Sequence, residues 1–256
     1  MNNKTNNYKL PIKEIFFDAI SLPMRHFKSI LKFGSPLIIV LILSVIVAIS
    51  LGNVSAMKPY ATFTSLLLSL LVVASLVMAI VGLHRTFLMN ENDIKQTRLI
   101  RWSGREMRFV GWWALIGLCA LLIIMPFFLI LGTKFIDLVS GSGNFLPIVL
   151  VAMNIPIVYL VSRWSLVLPA TAIDIRNRTL IWSWGLSKGN GWRLTFLIGV
   201  LPLLVDVLFK YVPKLDSIFF YFVVIFVWFV VAIIEIGLLS LSYKYLSENI
   251  NMAPLN

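Results

Sequence analysis

The sequence predicts an all-α integral membrane protein. Six transmembrane helices are joined by amphipathic interfacial helices, as three parallel repeats of a surface helix plus a helical hairpin. Three observations carry this expectation. Six apolar runs approach or exceed bilayer-crossing length, the basic residues cluster on one side of those runs, and two polar segments align at a constant shift.

The solvent is set by composition. Hydrophobic residues make up 59% of the 256, charged residues 13%, and mean hydropathy is +0.93. A soluble domain is closer to half apolar and a quarter charged. A helix of about 20 residues crosses the hydrocarbon. The candidate runs are 34–52, 62–83, 112–131, 145–162, 194–209 and 218–242, within a single transmembrane domain over 1–256. The fifth run, 16 residues long, requires local thinning or anchoring at its ends.

The net charge of +11 raises nucleic acid as a partner, and the placement of the charges answers it. Of the 22 Lys and Arg residues, 18 fall in the termini and in the second-to-third and fourth-to-fifth connections. Only Lys58, Lys134, Lys210 and Lys214 lie opposite. Basic residues concentrate in cytoplasmic segments, which puts both termini in the cytoplasm and makes the charge topological. The expected partners are anionic membrane lipids, not nucleic acid.

The first surface element is expected over 12–31. Ile12, Ile15, Phe16, Ala19, Ile20, Phe27, Ile30 and Leu31 recur at helical spacing, with Lys13, Glu14, Asp18, Arg25 and Lys28 on much of the other face. Pro23 marks a bend. In the second element Lys95, Arg98, Arg101, Arg105 and Arg108 step by three or four, a basic stripe that would bind headgroups while apolar side chains enter the acyl region. Each such cation is worth about 1 kcal/mol beside an anionic leaflet. The third is expected over 173–187, ended by an elbow of Trp184, Lys188, Gly189, Gly191, Trp192 and Arg193. There glycine permits a left-handed exit, Trp192 sits at headgroup depth and Arg193 faces water. A shift of 80 residues lays Trp102, Ser103, Gly111 and Trp112 on Trp182, Ser183, Gly191 and Trp192, which motivates the repeat.

The elbow "SWGLSKGNGWR" and the preceding "LVLPATAID" resemble the corresponding segments of six-helix bacterial inner-membrane families. These include the YciC-like proteins and the membrane domain attached to some glycerophosphodiester phosphodiesterases. The likeness covers about 30 residues closely and the six-span layout generally. It implies a bacterial inner-membrane location and supplies no established catalytic residues to carry over. This chain has no soluble phosphodiesterase segment that would bring that activity with it.

Chemistry-bearing residues are sparse. His26 and His84 are the only histidines, with no paired-ligand spacing, so neither a metal nor another cofactor is expected. Ser142, in "GSGN" beyond the third span, is a bilayer away from His84 and cannot use it as a base. Cys119, the single cysteine, has no disulfide partner. The sequence therefore reads as a non-enzyme. Charges within spans are the functional pointers, because lipid penalises them. Glu235 lies nine residues before Lys244, about 13 Å deeper at 1.5 Å per residue. Asn154 has the same depth relative to Arg163, so Asn154 or Arg163 is the expected polar partner. Two functions follow: lipid or partner binding in support of envelope or lipid homeostasis, and transport through a site around Glu235.

The one-sided basic residues generate a topological prediction. A carboxy-terminal fusion to a reporter active only outside the cytoplasm should stay silent, whereas activity would reverse the assigned orientation.

Overall fold

The computed structural model describes residues 9–52, 58–95, 102–140, 146–200, 202, 205 and 218–251. All regular structure among these residues is helical: α1 (Ile12–Arg25), α2 (Phe27–Gly52), α3 (Lys58–Leu88), α4 (Glu91–Lys95), α5 (Gly104–Ser140), α6 (Leu146–Trp164), α7 (Val167–Ala172), α8 (Leu180–Leu186), α9 (Gly191–Leu194), a π-turn (Thr195–Val200) and α10 (Ile218–Asn251). Five helical stretches are long and apolar enough to cross a membrane: Phe27–Val47, Thr62–Leu88, Gly104–Pro126, Asn154–Ala172 and Val223–Asn249. The fifth expected run begins as α9 and the π-turn, and most of its remainder lies outside the described residues.

The apolar surface identifies the solvent. The Phe27–Val47 window has mean hydropathy 2.5 yet only 17% of it is buried inside the protein, and Gly104–Pro126 is buried to 11%. Soluble monomers rarely expose contiguous apolar patches beyond a few hundred Å². Lipid supplies the missing partner for these faces, so this is a multi-pass membrane protein.

Several expected boundaries move. The first surface helix breaks at His26, three residues beyond Pro23, where φ is −112° and ψ 23°. The helical stripe expected from Lys95 to Arg108 is not continuous. Helix α4 ends at Lys95, Trp102 and Ser103 are non-helical, and Arg98 and Arg101 lie outside the described residues. Arg105 and Arg108 instead occupy the first turns of α5, whose 37 residues run directly into the span. A reciprocal cap starts that helix: Ser103 N–H donates to Glu106 Oε2 at 2.8 Å, and Arg105 N–H reaches Ser103 Oγ. The third surface helix begins only at Leu180, because Asp174 (φ 64°) and Asn177 (φ 60°) hold 173–179 out of helical geometry. Asp and Asn tolerate that left-handed region better than most residues. Pro126 and Pro156 lie inside α5 and α6 without ending them.

The segment "LVLPATA" becomes the hub. Leu166, Val167, Ala170 and Ala172 are fully buried, and α7 packs against α3, α5, α8 and α10. Pro169 is tolerated in its first turn, where amide donors lack helical partners anyway. On one side Leu166 and Ala170 join Leu194, Leu238 and Tyr243; on the other Val167 and Leu168 join Val77, Val81 and Phe109. A third cluster ties α1, α2, α3 and α10 through Leu22, Ile30, Phe87 and Ile233.

Positions aligned by the 80-residue shift take different local roles. Ser103 caps α5 while Ser183 lies inside α8, and Gly111 is within α5 while Gly191 opens α9.

Helices α2 and α3 approach closely at Gly82, where an added Cβ would lie 2.6 Å from the Phe33 ring. Gly117 on α5 has nothing within 4 Å. Alanine gains roughly 0.5–1 kcal/mol over glycine in a helix, while overpacking costs typically 1–3 kcal/mol. Gly82→Ala should lower the melting temperature in detergent and Gly117→Ala should hold or raise it. Equal responses would refute the close approach.

Candidate functional site: a polar collar at one end of the bundle

Helices α3, α6 and α10 end, and α2, α5 and α9 begin, at the same end of the bundle, where the connecting segments bring the polar side chains together. The centre is Arg163, only 6% exposed. Its Nε donates to Ser187 Oγ at 2.7 Å, Nη2 to the Trp184 carbonyl at 2.7 Å, and Nη1 to Tyr159 Oη at 3.1 Å. The guanidinium carbon lies 3.4 Å from the centroid of the Trp184 ring, and Tyr159 contacts Trp192 with centroids 4.9 Å apart. A planar cation is thereby bonded along its edge and stacked on its face, which lysine cannot reproduce.

Arg163 was expected, beside Asn154, as a polar partner of Glu235; the bonds of Arg163 go elsewhere. The guanidinium bonds the elbow and Tyr159 of its own helix. Helix α6, which also carries the partly buried Asn154, makes its main contacts with α5, α8, α9 and the π-turn, whereas α10 packs chiefly on α1 and α3. Glu235 is half-buried on α10. Equal depth does not bring helices together.

The two elbow glycines serve different purposes. Gly189 has φ 79°, the left-handed exit expected from the sequence. Gly191 needs space instead: an added Cβ would sit 2.6 Å from Tyr159 Oη. Lys188 is exposed, Trp184 is 38% exposed and Trp192 67%. Arg193 does not simply face water. It donates to the Leu10 carbonyl at 2.6 Å, while Leu10 N–H donates to Asn190 Oδ1 at 2.7 Å. Both backbone groups of a fully buried residue are thus held by the elbow, which fastens the amino-terminal segment.

Beside this lies an acid–base cluster. Arg105 Nε donates to Glu106 Oε1 at 3.0 Å, and Arg108 pairs with Asp174 of the left-handed loop. Glu106 is 2% exposed. Each of these two arginines is paired with a carboxylate of the protein. The Lys95 backbone ends α4; Lys32 Nζ reaches the neighbouring Ile94 carbonyl at 3.4 Å.

Sequence reasoning missed one buried pair altogether. His84 Nδ1 lies 2.7 Å from Ser240 Oγ, although 156 residues separate them. Ser240 donates its own proton to the Ile236 carbonyl, so the bonding pattern assigns the proton between the pair to His84 Nδ1. Exposures of 1% and 0% make it an interhelical link with no substrate access. Ser142 lies outside the described residues. No group of three or more His, Cys, Asp or Glu side chains poised for a metal occurs among the described residues.

Two cavities open at this end. One, about 500 Å³, lies at the α1–α2 corner among Arg25, His26, Lys28 and Lys32. The other, about 320 Å³, lies between the 173–182 segment and α10.

Comparison of the chain with protein-family models, with curated proteins and with solved structures finds no match.

The buried guanidinium makes a stability prediction. Arg163→Lys should lower stability by about 2–4 kcal/mol, through lost stacking and orphaned acceptors. Exposed Lys188→Ala should stay within roughly 0.5 kcal/mol. Thermal unfolding in detergent checks both, and an unchanged Arg163→Lys would remove Arg163 from the centre of the collar.

Proposed function

We propose that this chain is a non-catalytic bacterial inner-membrane protein that binds anionic lipid headgroups at its polar collar, in support of envelope or lipid homeostasis. In this reading both termini are cytoplasmic, and the chain comprises three units of surface helix plus hairpin with six spans. The resemblance to YciC-like proteins belongs to the same proposal.

The observation that supports it best is the division of α1 into three faces. Ile15, Ala19 and Leu22 are buried against the protein, with exposures of 5%, 0% and 6%. On the opposite face Phe17, Ile20 and Met24 are exposed to 68%, 43% and 88%. Glu14, Asp18, Ser21 and Arg25 fall between them at 100° per residue. A helix needs three faces where protein, acyl chains and water meet. The sequence reading assigned the whole apolar stripe to lipid; part of it meets α10 instead.

The available cations refine the lipid reading. Arg105, Arg108, Arg163 and Arg193 are bonded within the protein. Arg25 and Lys28 remain at the α1–α2 corner beside exposed Met24 and Phe27, around the larger cavity. Asp18 lies 3.8 Å from Arg25, a solvated contact of little strength. Transport through a site around Glu235 is the second reading, resting on the half-buried carboxylate of that residue.

At about 1 kcal/mol per cation, losing two should weaken anionic-lipid retention roughly tenfold or more. Protein purified from native membranes should retain phosphatidylglycerol by native mass spectrometry. Arg25→Gln with Lys28→Gln should largely lose it while melting unchanged. Equal retention by the double variant would sink the reading.

A further inference from the structure

The smaller cavity is more than a gap in a charged surface. It is lined by Ile173, Ile175 and Leu186 together with Arg178, Lys244 and Glu248, its single carboxylate. Arg178 arrives from the loop that Asp174 and Asn177 hold in left-handed geometry. Its guanidinium carbon sits 4.6 Å from the centroid of the Trp182 ring, and Trp182 in turn leans on Tyr243 at 6.3 Å. Stacking fixes the plane of the guanidinium and leaves its edge to bond. Among the described residues its Nε is buried with no hydrogen-bond partner. A buried charged donor without an acceptor is costly, and such a group calls for explanation.

From this we infer that the cavity binds one phosphate ester, its anionic oxygens held by Arg178 and Lys244 and its apolar remainder lying against the isoleucine wall. Planar guanidinium donors suit phosphate geometry, and lysine adds a point charge. A volume of about 320 Å³ sits at the small end of ligand pockets and admits a headgroup with its glycerol. The two cations outnumber the carboxylate, so the site favours an anion over a cation. Glu248 opposes the ligand and limits its affinity. This goes beyond general headgroup attraction at α1, because it defines a one-molecule site on different residues. Its failure would leave the α1 reading standing, and the reverse also holds.

The phosphate could belong to a lipid or to a soluble ester, and titration of the purified full chain separates them. The probes are dihexanoylphosphatidylglycerol, glycerol 3-phosphate, inorganic phosphate and uncharged dihexanoylglycerol. One-to-one binding of the lipid alone assigns a headgroup site, whereas binding of glycerol 3-phosphate as well assigns the phosphate ester in either form. Arg178→Met and Lys244→Met should each weaken binding tenfold or more, and Glu248→Gln should tighten it several-fold. Lys244 is exposed, so its variant tests the site even if Arg178→Met misfolds. Binding of the uncharged lipid as tight as the charged one, no binding by any phosphate ester, unchanged affinity in Lys244→Met, or weaker binding in Glu248→Gln would each overturn the assignment. The last outcome would mean that the carboxylate holds a cationic group instead.

Discussion

A guanidinium taken out of water must find acceptors for its donors, and Arg163 finds three within one turn of its own helix and one returning segment. Ser187 and the Trp184 carbonyl come from α8 and its exit, and Tyr159 from one turn back on α6. This forces the elbow to fold against the end of α6, which in turn requires a left-handed residue at 189 and no side chain at 191. The position of the elbow then fixes the amino-terminal segment, because Asn190 and Arg193 satisfy the backbone of Leu10. From Leu10 the chain enters α1, whose buried face lies on α10. A single buried cation thus links the third, first and last parts of the chain.

The short helix α7 organises the apolar side of the same architecture. It is six residues long, too short to be stable on its own in water. It persists because opposite sides of it complete two hydrophobic clusters, one against α8–α10 and one against α3 and α5. Its abrupt end at Ala172 leads into the left-handed loop, which sends Asp174 to Arg108 on one side and Arg178 into the smaller cavity on the other. Among the described residues, Arg105, Arg108, Arg163 and Arg193 bond within the collar, while Arg25 and Lys28 line the corner cavity and Arg178 and Lys244 the smaller one.

The membrane class and the positions of the long helices were legible in residue composition, since runs of apolar residues carry that information locally. Gly189 was legible too, as a glycine following a polar helix end. Partners distant in sequence were not. His84 and Ser240 are each unremarkable in their own segments, and only the packing of α3 on α10 makes them a pair. Glu235 shows the opposite failure, because its depth along the helix was readable but its azimuth and neighbours were not. Arg105 and Arg108 read as outward cations until Glu106 and Asp174 claim them.

By itself the sequence determined the solvent of this protein and the helical form of its long segments. Each of these follows from interactions between a residue and its surroundings, which add along the chain without reference to other segments. Tertiary structure alone decided which cations are spent inside the protein, where α7 sits, and that Arg178 and Lys244 face one cavity. Those outcomes depend on which helices touch. Pairing of that kind is set by side-chain volumes and donor–acceptor geometry across segments far apart in sequence, and periodicity carries no record of it.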